Sequence, residues 1–171
     1  TYKRKIILAI YLASLLFAQE QINITSKISP VLKSVIIPGW GEYTLKKQVR
    51  GNFFLTTEII GVALTVISFV KSDNIATSYQ AFAAEFANVT SSGKDYQFWV
   101  DIGNYDSKND YNEEHLRWRE IENIYPENAE WNWQWTNDKK RKKFENLRIK
   151  SDQFKLIGKF VIGGIILNHI V

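Results

Sequence analysis

The run from Asn52 to Val70 carries one charged residue, Glu58, in an otherwise apolar stretch. As a helix at 1.5 Å per residue it is about 28 Å long, close to the hydrocarbon thickness of a bilayer. A chain of 171 residues has room for one modest core, so a run of this length is expected to lie in lipid rather than inside protein. Immediately upstream stands Ser34-Val-Ile-Ile-Pro-Gly-Trp-Gly-Glu-Tyr43, followed by Lys46, Lys47, Arg50 and Gly51. Pro38, Gly39 and Gly41 rule out a continuous helix there and suit a reversal packed against another stretch of backbone. The pair reads as an interfacial or re-entrant hairpin (19–51, with its linker) leading into a transmembrane helix (52–70).

Composition supports this through its unevenness. The overall apolar fraction of 45% and mean hydropathy of −0.23 resemble those of a soluble chain, yet the apolar residues gather in three blocks around a polar centre. The net charge of +4 is small, and the basic residues sit beside apolar blocks. Anionic lipid headgroups account for them better than nucleic acid, which is not expected as a partner. With no cysteine, disulfides, thiolate nucleophiles and cysteine metal sites are excluded.

In chain order, Lys3, Arg4 and Lys5 precede the apolar Ile6 to Phe17, and Ala18 offers a small residue for cleavage. Residues 1–18 thus have the layout of a secretory signal peptide, with an uncleaved anchor as the alternative. Pro30 is expected to open a short helix over Val31 to Ile37, with Trp40 and Tyr43 at headgroup depth and Lys46, Lys47 and Arg50 on phosphates. Gly61 and Thr65 could form a close-packing face on the spanning helix.

Residues 71–155 read as a small soluble lobe of helices. A first is capped by Ser72 or Asp73 and ends at Ser91-Ser92-Gly93. A second runs from Asp95 to Ile102, and a third starts at Ser107. Trp131, Trp133 and Trp135 alternate with polar residues, so an extended piece presents three indoles to one side, read here as interfacial anchors. From Asn137 a helix rich in lysine runs without a breaker into 156–171, a second transmembrane segment that is expected to continue beyond Val171. The fold class is therefore all-α, with two transmembrane helices.

Basic residues set the orientation. Lys33, Lys46, Lys47 and Arg50 stand on the hairpin side; Lys71, Lys139, Lys140, Arg141, Lys142, Lys143, Arg148, Lys150 and Lys155 stand on the lobe side, which favours a cytoplasmic lobe. Glu58 and the pair Asn168 and His169 then lie at matching depth, about 20 Å from the cytoplasmic end. A carboxylate in hydrocarbon is normally neutralised, paired or faces a cavity, so Glu58 is read either as a locally satisfied group or as paired with His169 or Asn168. No cofactor fingerprint, metal spacing or nucleophile with an aligned base is legible, and the chain is not expected to be an enzyme.

The motif Pro38-Gly39-Trp40-Gly41-Glu42-Tyr43 with Arg50-Gly51, and Thr57-Glu58 in the following helix, resembles a family of uncharacterised bacterial membrane proteins grouped under a domain of unknown function. The family signature is Pro-Gly-x-Gly-Gln-x-Tyr before a spanning helix, and Glu42 stands here in place of its glutamine. The resemblance implies a membrane location and no defined activity, and the expected placement is a bacterial inner membrane. The expectation is a scaffold or protein-interaction component of an envelope assembly, with a protein partner or a second copy of itself. The alternative is a part of an ion-linked transport system using Glu58 and His169.

Overall fold

The computed structural model describes residues 29–170. The expected signal peptide over 1–18, the linker up to residue 28, and Val171 lie outside the described residues. Those described form six α-helices: α1 (Pro30–Ile36), α2 (Trp40–Thr44), α3 (Gln48–Ala87), α4 (Tyr96–Asn104), α5 (Lys108–Arg117) and α6 (Asp138–Ile170). Two 3-10 turns, Ile121–Asn123 and Ala129–Trp131, lie between α5 and α6. The all-helical expectation holds, the sole extended pairing among the described residues being an isolated antiparallel bridge from Ser107 to Gln134. The chain divides into two compact units, Thr1–Thr57 with Asn168–Val171, and Glu58–Leu167.

In the first unit the local chemistry is proline and glycine. Pro30 opens α1, where its missing N–H costs nothing. Pro38 pushes the preceding Ile37 into extended backbone and so ends the helix. The Trp40 N–H then donates to the Ile37 carbonyl at 3.0 Å, and Gly39 has φ 84° and ψ −8°. This is a type II turn with proline and glycine at its two central positions. α3 begins at Gln48, so Arg50 and Gly51 lie inside its first turn rather than in a linker before it.

The second unit holds most of α3 and α6. They run antiparallel: Gly61 meets Ile165, Gly158 meets the Phe69 ring, and Tyr79 meets Phe144 at 5.3 Å between ring centroids. Between these contacts, the buried Ser151 hydroxyl donates to the Ser72 carbonyl at 2.8 Å and lies 3.1 Å from the Ser72 hydroxyl. Ser72 is thus a helix-pairing residue and not a cap, which corrects the sequence reading. α3 continues unbroken for 40 residues because no proline or glycine interrupts it between Val62 and Ala87. It ends where Asn88 adopts φ 55°, ahead of Ser91-Ser92-Gly93.

Among the described residues one helix, α3, is long and apolar enough to cross a membrane, and only 11% of its most apolar stretch is buried. That low burial separates it from the core helix of a soluble protein. Along the same half of the pair, Ile59, Ile60, Val62 and Ile67 on α3, and Leu156, Phe160, Ile166 and Leu167 on α6, stand exposed.

The other half of the pair carries the lobe. Tyr79, Ala83 and Ala87 of α3, Phe98, Trp99 and Ile102 of α4, Tyr111 of α5 and Phe144 of α6 close around Trp133 and Trp135. Asp95 caps α4 by accepting from the Phe98 N–H at 2.9 Å, and Ser107 caps α5 by accepting from the Asp110 N–H at 3.1 Å. Asn137 does the same for α6 through the Lys140 N–H.

Candidate functional site

The hairpin glycines are placed where no side chain fits. A methyl group on Gly39 would collide with the Gly51 carbonyl, and one on Gly41 with the Pro30 carbonyl and the Ser34 hydroxyl. One on Gly51 would meet the Tyr43 ring at 2.9 Å. Ser34 ties the turn together, accepting from the Gly41 N–H at 3.0 Å and donating to Glu42 at 2.9 Å. Tyr43 donates to the Asn52 side-chain carbonyl, and the buried Lys33 ammonium lies 6.0 Å from the centre of the half-buried Trp40 ring. Glu42 is therefore held by a hydroxyl donor, as a glutamine oxygen would be. Arg50 is exposed.

The same unit includes the end of α6. The Asn168 amide donates to the Phe54 carbonyl at 3.1 Å, and His169 Nδ1 lies 2.8 Å from the Val35 carbonyl. A carbonyl oxygen only accepts, so this nitrogen carries the proton. Glu58 is half-buried on α3, at the start of the second unit.

Reading the three indoles as interfacial anchors is corrected by the structure. Trp133 and Trp135 are 1% and 6% exposed in the lobe core, and Trp131 is half-buried, stacked on Tyr125 at 5.5 Å. The period-two spacing does put all three on one side, but that side faces the core. Buried indoles need acceptors for their N–H groups. Trp133 Nε1 donates to the Tyr105 carbonyl at 3.3 Å and Trp135 Nε1 to the Ile102 carbonyl at 2.5 Å.

The strip's backbone does equivalent work. The Gln134 and Thr136 N–H groups donate to the Ala87 and Phe86 carbonyls, both at 3.1 Å, and satisfy the open end of α3. The alternation of Trp with Asn132, Gln134 and Thr136 is the pattern of a half-buried extended segment, and it was the available signal for a core role.

Arg141 and Lys108, which look like surface charge in the sequence, are structural. Arg141 donates to the Gly103 carbonyl at 2.9 Å and to Asp106 and Asp138 at 2.6 Å each, which closes the end of α4. Lys108 is 4% exposed and pairs with Glu127 at 2.8 Å. The buried Asn112 brackets Tyr125, accepting from its N–H and donating to its carbonyl, both at 2.9 Å.

Asp101 is 5% exposed and accepts from the Tyr125 hydroxyl at 2.7 Å and the Gln97 amide at 2.9 Å. Burial pushes its carboxyl above the ordinary 3.8, outweighing the two hydrogen bonds that pull it down. Burial, with Asp101 nearby, also pushes the Tyr111 hydroxyl up to about 12. The folded state therefore holds the Asp101 proton more tightly than the unfolded state does. This group's contribution to stability is greatest below the unfolded value and declines as pH rises through the raised folded one. Asp101→Asn keeps an acceptor for Gln97 and can donate to the Tyr125 oxygen, so it should remove that decline. From about pH 3.5 to about pH 6 the urea midpoint should rise more, or fall less, in the variant than in the parent; equal changes would refute the assignment.

The remaining polar feature is the outward face of α6. Asp138, Lys139, Lys142, Lys143, Asn146, Leu147 and Lys150 line an open depression of about 600 Å³, with Lys142 paired to Asp138 at 2.8 Å and the half-buried Leu147 as its apolar component. Compared with known proteins, the chain matches no family model, no curated protein and no solved structure at a significant level.

Proposed function

We propose that the chain is a membrane-anchored scaffold. In this reading α3 and α6 cross a bacterial inner membrane as an antiparallel pair and carry the helical lobe on the cytoplasmic side, where it binds protein. The observation that carries the reading is the division of the α3/α6 pair. One half exposes aliphatic side chains to its surroundings, while the other half buries a dense aromatic core. Exposed Ile, Leu and Phe in such number on adjoining helices need a lipid or protein cover. Lys159, exposed within the apolar part of α6, has a stem long enough to bring its ammonium to a headgroup layer. The hairpin's resemblance to a membrane-protein motif and the excess of basic residues on the lobe side point the same way.

The lobe's polar groups are largely spent on one another, as the bonds of Asp101, Asn112 and Arg141 illustrate. This favours a binding role for its surface over chemistry in its interior. The test is extraction and sidedness. The protein should stay with membranes through alkaline carbonate, and release would sink the anchor. Ser92→Cys, in an exposed loop of a chain without cysteine, should resist an impermeant maleimide in intact cells and react after lysis. Labelling of intact cells would overturn the cytoplasmic placement. Asn137 is a poorer labelling position because it caps α6.

A further inference from the structure

The lobe is electrically divided. Residues 106–130 hold eight acidic against three basic residues, and residues 138–150 hold seven basic against two acidic. The acidic segment also exposes apolar side chains: Leu116 is 51% exposed, Trp118 72% and Ile121 66%. Glu113, Glu120 and Glu122 stand exposed nearby in the chain, Glu120 being paired with His115 at 2.6 Å, and the exposed Arg117 and Arg119 flank Trp118. The basic segment presents the lysine-walled depression over Leu147.

Headgroups do not reach Lys139 to Lys143, of which Lys142 pairs with Asp138 at 2.8 Å and Lys143 lies 5.0 Å from the Phe82 ring centre. Lys139 to Lys143 lie 12 to 16 residues along α6 from Lys155, or about 18 to 24 Å. That is two to three Debye lengths of about 8 Å at physiological salt.

We infer that the lobe binds a second copy of itself, the Trp118 and Ile121 knob of one copy entering the lysine-walled depression on α6 of the next. The occupant has the chemistry the site asks for. An exposed indole is a frequent anchor of protein interfaces, and a segment of net negative charge meets one of net positive charge. Knob and depression are different surfaces, so the contact is head-to-tail and builds rings or rows rather than a two-fold dimer. The inference deepens the scaffold reading by naming the lobe's partner.

The test uses two full-length single-cysteine variants, Glu122→Cys beside the knob and Asn146→Cys in the depression, co-reconstituted into phosphatidylcholine and phosphatidylglycerol vesicles and treated with a short bismaleimide. The mixture should yield at least about ten times more cross-linked dimer than either variant alone, as a head-to-tail contact requires. Trp118→Ala in the Glu122→Cys partner, or Lys142→Glu with Lys143→Glu in the Asn146→Cys partner, should each reduce the product about tenfold. Trp118→Phe should retain most of it.

Equal cross-linking of the single variants, no product, or indifference to Trp118→Ala would each overturn the inference. So would a blue shift of an environment-sensitive dye on Glu122→Cys at one copy per vesicle, which would assign the knob to the bilayer. Carbonate extraction of the same vesicles separates the two readings: a chain that cross-links but extracts loses only its anchor.

Discussion

Gly41→Ala will unseat the hairpin while a nearly identical change at Gly164 leaves the protein intact. The added methyl at Gly41 meets the Pro30 carbonyl and the Ser34 hydroxyl, whereas nothing lies within 4 Å of one at Gly164. Backbone is the hard part of that clash, because α1 would have to move away from α2 and the Gly41 N–H would lose its 3.0 Å bond to Ser34. Overpacking typically costs about 1–3 kcal/mol, and a collision with a carbonyl belongs at the upper end. Replacing glycine inside α6 should instead favour the helix by up to about 1 kcal/mol.

Hydrogen exchange on the full chain in micelles reads both. Amides of 40–45 should lose about a hundredfold of protection in Gly41→Ala, following the factor of ten per 1.4 kcal/mol. Gly164→Ala should keep or raise the protection of α6. Unchanged protection at 40–45 would mean that α1 and α2 are not packed as described.

The features read correctly from sequence are those in which one residue restricts its own backbone. Pro30 and Pro38 bound α1, and Asp95 and Ser107 mark where their helices begin, which the structure explains by capping, because each effect is decided within three or four residues. Features decided by a distant partner were misread or unseen. Ser72 has the chemistry of a cap and became a buried pairing residue only because Ser151 lies opposite, 79 positions away. Trp133 and Trp135 alternate as a half-buried strip should, but which face is wet depends on α3, α4 and α6 closing over it. Arg141 sits in a run of five basic residues, and only the open carbonyls at the end of α4 set it apart from Lys142, which stays exposed. The long apolar run of α3 was legible because length and hydropathy need no partner to be recognised.

The lobe depends on one ring more than on any other. Phe144 is fully buried and is the one aromatic ring that α6 adds to the core among the described residues, with Leu147 partly buried against it, and it lies 5.3 Å from Tyr79, 5.1 Å from Trp135 and 6.4 Å from Trp99 between ring centroids. It joins all three partners, from α3, the tryptophan strip and α4, at the point where the helix pair becomes the lobe. Phe144→Ala should cost about 3–5 kcal/mol, since rigid indole and phenol rings cannot collapse into the space it leaves. A small domain holds only about 5–15 kcal/mol in total, so the lobe should lose much of its tryptophan near-UV circular dichroism at room temperature or melt far earlier. The apolar, exposed half of α3 and α6 has its own contacts at Gly61 and Gly158, so far-UV helicity should fall much less. Trp118→Ala, which removes a larger side chain from an exposed site, should change the unfolding midpoint by no more than about 0.5 kcal/mol. If Phe144→Ala proved as mild as Trp118→Ala, the core would not be organised around α6, and the link between the helix pair and the lobe would have to lie elsewhere.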